Sequence, residues 1–320
     1  MHRISIRALA VVLAAAAALL LPSAMSNAQP LTVIRVATTA DDNSTPILYG
    51  VQSGRFRAAG LDVQVQQVSN GSATAAGIAG GSYDVGKASL TSILTSHLRG
   101  VPFVIVAAAG VYDTKTPYGV LLVAADSPIR TAKDLEGQTL AIGALQSVDE
   151  VGIDSWMERN GADYKTLKYV EIPQSAIRAA IEAHRVAASV LNRPQLDAAL
   201  AGGKVRTLYP IYDAIAPSFM SSGWFATKDW ANAHADALAR FVRVVEESSQ
   251  YANTHHSETA PMLAKFSGIE LDVIQKAPRA ILGTSLSPSL VQPVIDLAAK
   301  YGMLARPFPA SEVLWFPPKS

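Results

Sequence analysis

The stretch VQSGRFRAAGLDVQVQQVSNGSATAAGIAGGSYDVG, residues 51–86, decides the fold. A helix-like segment runs out at Gly60, a residue free to take the left-handed conformation that ends helices. LDVQVQQV alternates apolar and polar side chains as a half-buried strand does. NGSATAAGIAGG then turns and opens a helix so poor in bulk that a ligand or another backbone is expected close to it. YDVG follows as a second strand. Strand, helix and strand with short connections form the repeat of an α/β sheet.

The same alternation extends outward. VIRVATT (33–39) and a helix around Ile47 to Gly54 come before it, and a helix in ASLTSILTSHLRG (88–100) and the apolar strand FVIVAAAG (103–110) come after. A second run starts at GVLLVAADS (119–127) and continues through IRTAKDLEGQTLAIG, a helix from about Asp149 to Asn160, and the strands LKYVEI, VAASVL and KVRTLY with helices between them. The segment holding Pro210, Pro217, Ser221, Ser222 and Gly223 reads as a loop. Beyond it come GWFATKDW and amphipathic helices in 236–254 and 290–304, which we expect to return to the first lobe.

The N-terminus has a different character. His2, Arg3 and Arg7 precede fourteen uncharged apolar residues, Ala8 to Leu21, and the small residues Ser26 and Ala28 follow Pro22. That is the layout of a cleavable export signal, with the cut expected between Ala28 and Gln29. A spanning helix needs about 20 apolar residues, so this run is too short for a comfortable anchor. The chain has no cysteine, which rules out a lipid on a cysteine at the cut and any disulfide. Cleavage takes 28 of 320 residues, leaving 292, enough for two lobes at the usual ~100–150 residues per domain. It also takes two of the 27 basic residues, leaving 25 against 26 acidic ones. Without a basic block or basic residues interleaved with aromatics, nucleic acid and anionic lipid are poor candidates, and a small molecule is the expected partner.

Residues 51–86 resemble the substrate-binding components of nitrate, sulfonate and taurine importers, the SsuA/THI5-like family, which also includes thiamine-precursor binding proteins. The shared pattern is G-x-F at a helix end, then G-L-D-V, a G-S turn, and a closing strand of the G-x-x-D-V-G type. DSPIRTAKDLEGQTLAIG, the stretch ending VAASVLNRP, FATKDWANAHADALARFV and VIDLAAKYGML fit in order, so the resemblance spans nearly the whole mature chain. It implies an α/β, two-lobed periplasmic binding protein type II fold with the ligand cleft between the lobes. Lobe 1 would comprise 29–117 and 223–320, and lobe 2 118–222. It also implies a monomer in the periplasm that hands its solute to an ABC permease and ATPase.

In such sheets ligands lie beyond the carboxyl ends of the strands, where helix N-termini present free N–H groups. The candidate ligand-binding residues are therefore Asn43 and Thr45 after the first strand, Asn70 and Ser72 at the glycine-serine turn, Ser89 after YDVGKA, Gln146 and Ser147 after LAIG, and Asn192 and Arg193 after VAASVL. Thr45 is a candidate helix cap, with Pro46 suited to the first turn. Asp149 reads first as a helix cap. In IRAAIEAHRVAASVLNRP the family pattern is broken: His184 stands for its glycine and Ala187 for its aspartate. Arg193 there could grip an anionic head group with its planar fork. Tyr112, Tyr118, Phe219 and Trp224 are placed near the chain crossings as an apolar wall or hinge packing.

No catalytic motif of the hydrolase-elbow, P-loop, zinc-helix or dinucleotide kind is present. The family's fungal pyrimidine synthase relies on a cysteine-rich segment and iron-binding histidines, and a chain without cysteine lacks those parts. His255 and His256 find no third ligand at metal spacing, and no cofactor is expected. The expected solute is a small organic anion, a taurine-like sulfonate or a carboxylate. The alternatives are nitrate, a thiamine-precursor pyrimidine, or service as the ligand-binding partner of a separate sensor.

Overall fold

Apolar runs alternating with helices that start on glycine, serine and asparagine are accommodated by strands laid side by side with helices on their faces. The computed structural model describes residues 30–317 apart from 144, 193 and 194, so the expected export signal and Arg193 lie outside the described residues. Strands β1 (Thr32–Thr38), β2 (Leu61–Gln67), β3 (Val85–Ser89), β4 (Phe103–Asp113), β10 (Ser218–Thr227) and β11 (Ile281–Leu282) form one sheet in the order β11-β4-β10-β3-β1-β2. Strands β5 (Val120–Ala124), β6 (Thr139–Ile142), β7 (Lys168–Glu171), β8 (Ala188–Leu191) and β9 (Val205–Pro210) form a second in the order β7-β6-β8-β5-β9.

Both sheets are mixed. β1 runs parallel to β2 and β3, and β6 parallel to β7 and β8. Helices follow most of these strands: α1 (Thr45–Gln52) and α2 (Arg55–Ala58) after β1, α3 (Gly71–Ala79) after β2, and α4 (Leu90–Leu98) after β3. In the second sheet α5 (Val148–Arg159) follows β6, α6 (Gln174–Glu182) follows β7 and α7 (Gln195–Ala201) follows β8. The last third supplies α8 (Lys228–Ala233), α9 (Ala235–Ala252), α10 (His256–Ser267), α11 (Leu271–Lys276) and α12 (Gln292–Lys300).

Strand direction fixes where the chain crosses. β10 runs against both β3 and β4, pairing Ser222 with Ser89 and Ser218 with Asp113, so β4 ends at the same edge as β3. β5 begins at Val120, opposite Leu191 at the end of β8 and Pro210 at the end of β9. Both connections, 114–119 and 211–217, therefore join the carboxyl edge of one sheet to the carboxyl edge of the other. They are tied together, Thr114 N donating to Pro217 O at 3.1 Å and the Tyr112 hydroxyl to Asp213 at 2.5 Å.

The loop expected through Ser221–Gly223 is instead the first half of β10, a buried strand inside the larger sheet. Its small residues are what the position needs: a Cβ on Gly223 would come 3.1 Å from Ile105 Cγ2. The chain does return to the first sheet through β10 and β11. Its last helix, however, packs on both α4 and α5, and Val294, Ile295 and Ala298 share one core with Ile93 and Ile153. Gly60 takes the expected left-handed conformation at φ 75°. His184 does so too, at φ 53°, where a side chain costs about 1–2 kcal/mol that glycine would not.

Asp42 locks the first helical turn to a distant segment. Its carboxylate accepts from Arg279 Nε at 2.8 Å and Nη2 at 2.5 Å and from Ala280 N at 2.6 Å, with the Arg279 side chain 6% exposed. Asp42→Ala would strand that guanidinium in the interior. We expect it to lower stability in urea unfolding by about 3–5 kcal/mol; a loss below about 1 kcal/mol would show that Arg279 finds water.

Candidate functional site

At the carboxyl edge of the first sheet the chain leaves β1 through a short turn that Asp41 caps, its carboxylate accepting from Asn43 N at 3.0 Å. Asn43 is half-buried and its Nδ2 lies 3.2 Å from Ser222 Oγ, which also accepts Gly110 N at 3.0 Å. Gly110 has to be glycine for this contact, because a Cβ there would sit 2.8 Å from Asn43 Nδ2. Asn43 Oδ1 is buried and has no partner among the described residues.

Thr45 is not the cap expected of it. Ser44 occupies the cap position and Thr45 opens α1, with Pro46 in the first turn as anticipated. The Thr45 hydroxyl is fully buried between Asp42 Oδ1 and Arg279 Nη2, each at 3.2 Å. Asn70 caps α3 by accepting Ala73 N at 2.9 Å, and Ser72 is exposed beside it. The small residues of α3 make room for the chain's own atoms: a Cβ on Gly77 would strike Tyr83, and one on Gly71 would lie 3.3 Å from Ala88 Cβ. That last contact sets the start of α3 beside the end of β3. There Ser89, exposed, caps α4 and shares a proton with Ser92 Oγ at 2.7 Å.

At the edge of the second sheet Gln146 is exposed in a left-handed conformation, φ 56°, its N–H bonded to Glu150 Oε2. Ser147 holds the cap position of α5 without a side-chain cap bond, and its Oγ is buried and unpartnered among the described residues. Asp149 does not cap. It is buried in the first turn and accepts the Tyr212 hydroxyl at 2.6 Å. Burial pushes its pKa up to about 6, against the pull of the Tyr212 bond. Asn192 follows β8, and its Oδ1 is buried without a partner among the described residues.

Two tyrosines join the edges. Tyr118 meets Tyr212 edge to face at 5.4 Å and donates its hydroxyl to Ser221 Oγ at 2.8 Å, one residue from the Ser222 that Asn43 touches. Tyr112 and Phe219 complete this aromatic cluster at the crossings, whereas Trp224 belongs to another core with Ile34 and Phe241. Asn43 and Ser89 are thereby linked through Ser221, Tyr118 and Tyr212 to the start of α5, and Asn192, next to Leu191, stands at the same edge of the second sheet. A separate concavity of about 530 Å3 lies at the opposite end of the second sheet, by Ala124, Gln138 and His184.

The residues sequence reasoning missed act through partners far along the chain. Lys87, 4% exposed on β3, bonds Asp41 Oδ2 at 2.5 Å and Thr39 Oγ1 at 2.9 Å. Tyr212 and Ser222 carried no signal beyond their residue types. His255 stacks on Tyr251 at 3.9 Å, and no metal-holding group of three or more His, Cys, Asp or Glu occurs among the described residues.

Two mixed α/β sheets joined twice at their carboxyl edges are the periplasmic binding protein fold. The structure superposes on the periplasmic aliphatic sulphonate binding protein SsuA of Escherichia coli with a TM-score of 0.74 at 19% identity, covering 90% of this chain and 93% of that one. The alkanesulfonate-binding protein SsuA of Xanthomonas axonopodis pv. citri, bound to MOPS, gives 0.69 at 18% identity over 89% and 98%. The nitrate-binding protein NrtA of Synechocystis PCC 6803 gives 0.68 at 14% identity over 86% and 82%. The chain belongs to the NMT1/THI5-like family, whose model matches residues 41–259. In sequence it is 23% identical over 243 residues, 74% of each chain, to a protein of Escherichia coli (strain K12) named for binding aliphatic sulfonates. The three solved neighbours are named as binding proteins, and the likeness to them is one of fold.

The acids of α5 carry a pH signature. Burial raises Asp154 to about 7, opposed by its bond from Tyr169 at 2.7 Å and helped by repulsion from Glu150. Unfolded, both aspartates titrate near ~3.9. Between about pH 4 and 7 the folded chain therefore holds more protons than the unfolded one, and stability falls as pH rises through that window, by about 1.4 kcal/mol per unit of upward shift. We expect urea unfolding to show this slope and Asp154→Asn to flatten it. An unchanged slope in the variant would mean that the Asp154 carboxylate is hydrated.

Proposed function

We propose that the protein is the periplasmic solute-binding subunit of its importer and that its solute is a small organic anion, a taurine-like sulfonate or a carboxylate. In this reading the expected lobes, 29–117 with 223–320 and 118–222, stand with the second boundary drawn back to 218, because Ser218–Thr227 is one strand of the first sheet, and the pair closes on the solute about the two crossings. The observation that supports an anion most is the pairing of α3 and α4. They start side by side at one carboxyl edge, with Ser72 and Ser89 exposed where the helix dipoles turn their positive ends outward. The relatives named for sulfonates and nitrate point the same way. Lys87 contributes no free charge, being paired with Asp41. The partners are the ABC permease and ATPase, and residues 1–28 are the export signal.

Mass spectrometry of the protein from a periplasmic extract should find a chain beginning at Gln29. Retention of residues 1–28 there would overturn the export reading. A solute at a hundred times its dissociation constant adds about 2.7 kcal/mol to stability, so thermal unfolding should show a clear rise in midpoint with taurine, an alkanesulfonate or a carboxylate. Silence for all of these, with a response to nitrate or a pyrimidine, would replace the organic anion.

A further inference from the structure

Arg130 and Arg206 turn their guanidinium groups onto the same two backbone oxygens. Arg130 Nη1 donates to Ser127 O at 2.6 Å and to Ile129 O at 3.2 Å, and Arg206 Nη2 donates to Ser127 O at 3.1 Å and to Ile129 O. Strand pairing brings them together. Val123 on β5 lies opposite Arg206 on β9, and Ala125 N bonds Lys204 O at 3.0 Å, so Arg206 stands beside the turn that follows β5. The two charged nitrogens are no further apart than their bonds to Ser127 O laid end to end. Segments 125–134 and 204–206 hold four basic side chains, Arg130, Lys133, Lys204 and Arg206, against two acids, Asp126 and Asp134. Neither acid pairs with a guanidinium. Asp134 Oδ2 accepts from Arg130 N at 2.9 Å, Thr131 N at 2.8 Å and the Thr131 hydroxyl at 3.0 Å, and Asp126 lies 3.4 Å from His184 Nε2.

Like charges held this close repel. A lysine would answer by losing its proton, but an arginine keeps its own, so the repulsion persists until an anion is bound. We propose that Arg130 and Arg206 form a second binding site, for a phosphate group, free or on a lipid headgroup. Each arginine gives one terminal nitrogen to the carbonyls, which fixes its fork. The other terminal nitrogen, Nη2 of Arg130 and Nη1 of Arg206, has no partner among the described residues. Arg206 is half-buried and its Nε is buried and unpartnered, while Arg130 is exposed, so the pair is anchored on one side and open on the other. Two forks at a fixed spacing suit a group with about two negative charges and three acceptor oxygens better than a single carboxylate. The site lies where β5 ends, Ala124 pairing with Val205, whereas the candidate solute site lies at the Val120 end of that strand. It therefore does not depend on what the solute is.

The test has two arms on the mature protein: calorimetry with inorganic phosphate, against chloride at equal ionic strength, and sedimentation with vesicles of phosphatidylglycerol, against neutral phosphatidylcholine. Saturable binding of phosphate below about 1 mM assigns the site to a free phosphate group. Sedimentation with the phosphatidylglycerol vesicles assigns it to a headgroup. In the arm that binds, Arg130→Gln and Arg206→Gln should each weaken binding about tenfold or more. Arg206→Lys keeps the charge but loses the fork, and should weaken it as well. Lys133→Gln, an exposed neighbour, should change it by less than about twofold. Melting curves identify any variant that has lost its fold, and Arg130→Gln, at an exposed position, supplies the reading if Arg206→Gln has. No saturable binding in either arm, binding unmoved by both arginine variants, or an equal loss in Lys133→Gln overturns the proposal. The midpoint rise with taurine, an alkanesulfonate or a carboxylate measures the solute reading separately and should survive Arg130→Gln. Its loss in that variant would put the arginine in the solute site and overturn the second site.

Discussion

The bond from the Tyr112 hydroxyl to Asp213 holds the two crossings at one spacing, and the candidate site hangs on that spacing. Tyr112 is the penultimate residue of β4, and Asp213 lies in the return connection, so the contact joins the way out of the first sheet to the way back. Burial, followed by this bond, holds the phenol far from ionising, which keeps it a donor at every pH the folded chain would meet. From the same junction Tyr118 reaches Ser221 on the first sheet and Tyr212 reaches Asp149 on the second. A shift of one crossing would move contacts on both edges at once.

The edges differ in how their charges are kept. On the first sheet three basic side chains are matched by acids: Lys87 with Asp41, Arg279 with Asp42, and, lower in the sheet, Arg35 with Asp84 at 2.7 Å. These pairs also tie β1 and the turn after it to β3 and to residue 279, so they shape the edge while cancelling its charge. Beside them stand the hydroxyls and helix starts of Ser72 and Ser89. On the second sheet Asp149 and Asp154 are met by tyrosine hydroxyls, which satisfy an oxygen without cancelling a charge.

The alternation of strands and helices was legible because it is local. LDVQVQQV and FVIVAAAG need no partner to be recognised, and neither do the caps Asn70 and Ser89. β10 was illegible in its first half because Ser221, Ser222 and Gly223 are turn residues by composition. They form a strand because β3 and β4 lie on either side and leave no room for bulk. Asp149 was misread for a related reason. An acid at a helix start is a cap unless something else claims it, and the claimant, Tyr212, lies 63 residues further along the chain. Lys87 shows the same limit, since its partner Asp41 is 46 residues earlier.

Asp149 also sets stability against the direction of a hydrogen bond. A carboxyl buried at the head of α5 and answered only by a phenol is worse for the fold than an amide of the same shape, and its raised pKa is the measure of that cost. Asparagine there would remove the charge, but it would also free the Tyr212 proton to go elsewhere, because an amide can meet the phenol with its own NH2. The carboxylate cannot: ionised, it only accepts, so it compels Tyr212 to donate. A charge that weakens the fold is in this way what fixes the direction of the Tyr212 bond at the head of α5.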